Sequence, residues 1–324
     1  MTGGTKQNAV VAVTGAAGYI GSRVVWQLQR EHPDWDIVAL DNFYLGDVRR
    51  IGGLDVRDVD IRNREQLEAA LEGTDAVVHL AAISGVDDCT DHPSLAYEVN
   101  AVGTMNVAWF CKQTNTPLAF PFSMAVVGDP DSFPIQADDP REPLNWYGQT
   151  KVLGEQMIEE LSRDAFPAHL FMISNLYGGH SIGGRDITKG TVINFFVDQV
   201  LAGKPLTVYE PGTQSRNFVH VKDVADAFCL SVEELMKSTA TETIRFEVAS
   251  QSDPSIRQVG ELVRRVAHDL RGAEVDLEMV PNPRQNETLV DRFDVDTGRI
   301  ESELGWSPER SIEESVRKLL SKEA

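Results

Sequence analysis

The segment from Ala9 to Gly21 reads AVVAVTGAAGYIG, and it constrains the fold more than any other. Ala9 to Val13 is a short, β-branched run of the kind that forms a strand buried on both faces. Tyr19 to Arg30 then carries apolar residues at helical spacing. Between them stand Gly15, Gly18 and Gly21. Glycines let the chain turn sharply and let backbone amides approach an anion. The start of the helix adds partial positive charge at the same place. The spacing is G-x-x-G-x-x-G rather than the commoner G-x-G-x-x-G, so the strand–turn–helix context carries the reading.

The same alternation continues. Strands are expected at Ile37–Leu40, Ala76–Leu80, Leu118–Phe122 and His169–Ile173. Helices are expected at Arg64–Leu71, Leu95–Lys112 and Trp146–Leu161. Repeated strand–helix units imply an α/β protein, a Rossmann-type doubly wound parallel sheet. After Tyr177 the pattern changes, and glycines, His180 and Lys189 mark a longer loop. Helices at Val192–Leu201 and Val224–Leu235 follow, with strands at Leu206–Tyr209, Arg216–Val221, Ile244–Ala249 and Val275–Val280. The expected division is a nucleotide-binding domain over 1–176, to which 216–250 returns. A smaller mixed α/β substrate domain takes 177–215 and 251–324.

Composition narrows the function. The chain has 324 residues, 42% hydrophobic and 25% charged, an ordinary globular balance. No run approaches the roughly 18 apolar residues of a membrane span. Met1 to Asn8 is polar and lacks the basic start and apolar core of a signal peptide, so a cytoplasmic location is expected. Cys89, Cys111 and Cys229 have neither disulfide-framework nor zinc spacing. No His/Asp/Glu spacing suggests a metal site. The net charge of −20 disfavours nucleic acid and anionic membranes as partners. An anionic substrate must then be held by local cations acting against the global field.

Asp41 ends the second strand, about 20 residues past the glycines, where a carboxylate binds adenosine ribose hydroxyls and repels a 2′-phosphate. NAD is therefore the expected cofactor. Tyr147 and Lys151 stand four apart and share one face of a helix. A phenol titrates near pH 10 and is a poor base at neutral pH. Lowering it by about three units takes roughly 4 kcal/mol, which an adjacent ammonium and a positive nicotinamide ring would supply. Ser123 ends a strand and is placed to hydrogen-bond the same substrate oxygen.

At these residues the chain resembles the extended short-chain dehydrogenases/reductases, in their NAD-dependent sugar epimerase/dehydratase group. The matching stretches are Thr14–Gly21, Asp41-Asn42, Asp60-Ile61, His79–Ala82, Asn100, Ser123, Tyr147–Lys151, Asn175–Gly178 and Arg216–Val221. The resemblance implies cofactor contacts from Gly15, Gly18, Tyr19, Ile20, Asp41, Asn42, Asp60, Ile61, Leu80, Ala81, Ala82 and Asn100, besides Tyr147 and Lys151. Ser123, Tyr147 and Lys151 become the catalytic set. Ser123, Asn175, Arg216 and Arg284 would face a nucleotide sugar, a UDP-sugar first. Arginine suits that task, because its planar fork matches phosphate oxygens. The resemblance also implies a homodimer, built on the Leu95–Lys112 and Trp146–Leu161 helices. His79 and His220 read as core histidines.

Where the family often has a tyrosine after the strand-end serine, this chain has Val127. Pro121 and Phe122 replace the usual serines before it. Ser123-Met124-Ala125 also lacks the acidic residues with which the dehydratase branch removes water. That favours sugar 4-epimerisation over 4,6-dehydration. A net reductase or dehydrogenase, and a non-catalytic NAD-binding regulator, are the alternatives.

Overall fold

A computed structural model describes residues 8–283 and 287–321. Its first strand is β1 (Val10–Thr14), followed by α1 (Gly21–Glu31), β2 (Asp36–Asp41) and β3 (Arg57–Asp58). Next come α2 (Arg64–Leu71), β4 (Ala76–His79), α3 (Thr104–Thr114), β5 (Leu118–Ser123), α4 (Trp146–Ser162) and β6 (Ala168–Ile173). The second half contains β7 (Asn175–Tyr177), β8 (Gly179–Ile182), β9 (Arg185–Thr188), α5 (Val192–Leu201) and β10 (Leu206–Tyr209). It continues with β11 (Phe218–His220), α6 (Val221–Leu235), β12 (Thr243–Val248), α7 (Ile256–Arg271), β13 (Leu277–Val280) and α8 (Ile312–Ser321).

Seven parallel strands form the main sheet in the order β12-β6-β5-β4-β1-β2-β3. From β1 the chain winds first toward β2, then crosses to β4 on the other side. The switch point therefore lies between β1 and β4. In open α/β sheets, ligands settle outside the carboxyl ends of strands at such a point. One apolar layer packs Val24, Val25 and Leu28 of α1 against β1 and against Val224, Phe228 and Val232 of α6. The opposite layer packs Val107, Ala108 and Cys111 of α3 with Val152 and Ile158 of α4. A third cluster lies away from the sheet, where Phe196, Val208, Val263 and Val316 meet.

The expected helix over Leu95–Lys112 is divided. A π-helical turn at Glu98–Gly103 separates Pro93–Tyr97 from α3. Such wide turns concentrate at functional sites, and this one carries Asn100. The β8–β9 hairpin within the long loop was not legible as strands. It docks on the glycine turn: His180 Nε2 donates to the Tyr19 carbonyl at 2.9 Å, and the Tyr19 hydroxyl donates to the Gly178 carbonyl at 2.7 Å. The three cysteines are free and buried. Among the described residues no helix is long and apolar enough to cross a membrane.

Candidate active site

Gly15 has a positive φ of 70°, and a Cβ there would lie 2.6 Å from the Ala81 amide nitrogen. The glycine thus lets the turn press against Leu80-Ala81 at the end of β4. A Cβ on Gly21 would lie 2.1 Å from the Gly15 carbonyl oxygen, so the helix start sits directly on the turn. No side chain caps the amides at the start of α1, and its first turn holds no acidic residue. The glycine turn and the positive end of the helix dipole together suit a diphosphate.

Asp41 closes the next strand. Its carboxylate accepts from the Ala17 amide at 3.0 Å and from the Phe43 amide at 2.7 Å, which aims it along the turn. Burial holds this carboxyl above its ordinary value, with the two amides opposing. Asn42 donates to Asp60, whose carboxylate is bound bidentately by Arg62. Ile61 is buried and packs directly against Gly103. This turn, carboxylate and apolar wall fit NAD.

Ser123 ends β5, and Tyr147 and Lys151 stand on the first two turns of α4. Asn145 caps that helix by accepting from the Gly148 amide at 3.0 Å, fixing where Tyr147 emerges. Ser123 stands near the Tyr147 phenol. Burial pushes that phenol above its ordinary value, and Ser123 works against this. Lys151 is itself pushed down to about 8, by burial first and with Lys189 adding like-charge repulsion.

Asn100 braces this set from behind. Its side chain accepts from the Ile83 amide at 2.8 Å, and donates to the Ile83 carbonyl and to Thr150 Oγ1. The segment after β4 is thereby tied to α4 next to Lys151. Those are the bonds its side chain makes among the described residues. Asn175 is exposed at the head of β7, where its amide donates to the Asn217 carbonyl. Arg216 is buried and pairs with Glu287 at 3.2 Å; it also donates to the Thr288 carbonyl. Thr288 in turn donates to the Gly128 carbonyl, so Arg216 stands on the Gly128 side of the cleft. Arg284 lies outside the described residues. His79 is a core residue, fully buried between Thr14 and Thr104 hydroxyls.

Gly15, Asp41, Ala81 and Ser123 lie at or just past the carboxyl ends of sheet strands, on both sides of the switch point. The model of the family described as "NAD dependent epimerase/dehydratase family" matches residues 11–245. The chain belongs to the NAD-dependent epimerase/dehydratase family. A relative from Methanocaldococcus jannaschii named putative UDP-glucose 4-epimerase is 28% identical, covering 96% of this chain and 97% of that one. The Thermus thermophilus UDP-glucose 4-epimerase, solved with NAD, superposes with a TM-score of 0.79 at 26% identity, over 96% and 97% of the two chains. MoeE5 in complex with UDP-glucuronic acid and NAD gives 0.80 at 25% identity, over 95% and 96%. As in the family, the cofactor is NAD.

The sequence reading missed one participant. Lys189 reaches back from the loop after β9 and donates to Ser84 Oγ at 2.5 Å and to the Ser84 carbonyl at 3.2 Å. The two residues are 105 positions apart, and nothing in their spacing signals the meeting.

Proposed function

We propose that this protein is a nucleotide-sugar 4-epimerase, with the UDP-glucose/UDP-galactose pair as its reference substrates. The observation that carries the reading is Ser123 at the end of β5 near Tyr147 on α4, with Lys151 one helical turn on, beside a glycine turn suited to a diphosphate. Tyr147 takes the proton from the sugar 4-hydroxyl and later returns it. Ser123 donates to the same oxygen as it becomes a carbonyl. NAD, when bound, would supply the redox chemistry at C4. Lys151 holds a positive charge behind the tyrosine and hydrogen-bonds the cofactor ribose. Arg216 and Asn175 anchor the nucleotide half while the keto sugar turns over, with Arg284 as a further candidate. The turn after Ser123 carries Met124 and Val126 buried, so it presents no carboxyl for water elimination.

Incubation of the purified protein with UDP-galactose, without added reductant, should yield UDP-glucose and no net NADH. Stoichiometric NADH would instead make it a net dehydrogenase.

We assign the nucleotide-binding part to 1–176 with 216–250 and the substrate part to 177–215 with 251–324. Three buried free thiols support a reducing, cytoplasmic setting. Met105 and Trp109 on α3 and Trp146 on α4 are large apolar side chains left exposed. They favour a homodimer across these helices. Sedimentation at micromolar concentration should report a dimer, and Trp109→Glu should shift it toward monomer; a monomeric wild type would remove the proposal.

A further inference from the structure

We infer that Lys189 and Ser84 form a carboxylate-reading pair, so that this site prefers nucleotide sugars with an acidic group on the hexose, as in a uronic acid. The inference rests on the 4-epimerase reading and adds the substrate class to it.

The argument begins with the lysine's surroundings. Lys189 is half-buried, and among the described residues it makes no ion pair. Asp88 is near enough to favour its charge but does not hydrogen-bond it. Its bonds go to the two oxygens of Ser84. An ammonium has three protons and accepts nothing. Two of them are used on Ser84. The Ser84 hydroxyl, acting as acceptor toward the lysine, keeps its own proton to donate elsewhere. One N–H and one O–H are thus held side by side, a positively charged two-donor set suited to a carboxylate.

Its position places this set at the sugar. Ser84 follows Ile83, whose amide and carbonyl are both held by Asn100, and Asn100 also bonds Thr150 beside Lys151. Lys189 is therefore braced, through one short chain of hydrogen bonds, against the helix that carries Tyr147. The cation proposed for the diphosphate, Arg216, is held from the Gly128 side by Glu287 and Thr288. The two cations serve different ends of a nucleotide sugar. In a chain of net charge −20, a half-buried lysine that makes no ion pair among the described residues costs free energy without a bound anion. A substrate carboxylate relieves that cost.

The test compares UDP-glucuronate with UDP-glucose on the NAD-loaded protein, by both 4-epimerisation rate and equilibrium affinity. Wild type should favour the uronate in kcat/KM by about 30-fold, the scale of a charge-assisted hydrogen bond. Lys189→Met keeps the apolar stem and removes the charge, and should collapse that ratio toward one. Lys189→Arg should restore part of it. Equal kcat/KM for the two substrates in wild type overturns the inference. So does an equal loss on both in Lys189→Met, which would make the lysine a strut for Ser84. If neither sugar is epimerised, yet the affinity ratio favours the uronate and collapses in Lys189→Met, the substrate class stands and the epimerase reading falls.

Discussion

Tyr147→Phe should lower turnover on the order of 10³-fold and leave NAD affinity within about twofold. The phenol oxygen is the atom at stake. It stands near Ser123, and in the proposed reaction it is the proton acceptor for the sugar hydroxyl. A positioned acid–base group contributes roughly 10² to 10⁴ in rate, and 10³ corresponds to about 4 kcal/mol of barrier. Phenylalanine keeps the ring, which packs at the edge of the apolar layer between α4 and β5. The variant should therefore melt within a few degrees of wild type, separating chemistry from folding. Affinity should hold because the diphosphate and adenosine sites, at Gly15 and Asp41, are on other elements. Steady-state turnover and a fluorescence titration with NAD check both halves. Retention of more than a tenth of wild-type turnover would assign the proton to another group.

The parts of this molecule that sequence foretold share a physical cause. β1, β2, β4, β5 and β6 are buried on both faces, so each must read as an apolar run, and each does. Asp41, Ser123 and Tyr147 are local too: each stands where a run ends or a helix begins, and function sits at those ends. What sequence hid depends on contacts across the chain. The β8–β9 hairpin is short and polar, and it exists because His180 and the Gly178 carbonyl find Tyr19. The π-helical turn at Glu98–Gly103 breaks a good helical pattern, and Asn100 within it bonds Ile83 and Thr150.

The other large effect is on stability, which should fall as pH drops through about 6.5, well above the range where ordinary carboxylates titrate. Four histidines are buried. Burial pushes His79 and His220 down to about 3, and His169 and His180 down to about 4. In the unfolded chain each titrates near 6.5. Between those values the unfolded state binds about four protons that the folded state refuses. Stability therefore rises with pH across this window, and it is lost as pH falls from about 6.5 toward 4. Four protons correspond to about 5 kcal/mol per pH unit. Asp41, Asp223 and Glu247 are held above ordinary carboxyl values by burial, so they take up protons in the folded state and offset part of the loss at the acid end. Total stabilities of 5–15 kcal/mol are typical, so unfolding should occur before carboxylates titrate in bulk. Urea melts at pH 7.5, 6.5 and 5.5 measure the slope. His220 caps α6 by accepting from the Lys222 amide at 3.1 Å. His220→Asn supplies another capping acceptor without a titrating ring, and should remove about one proton from the slope. Unchanged stability down to pH 5 would mean that water reaches these imidazoles and that they charge in place.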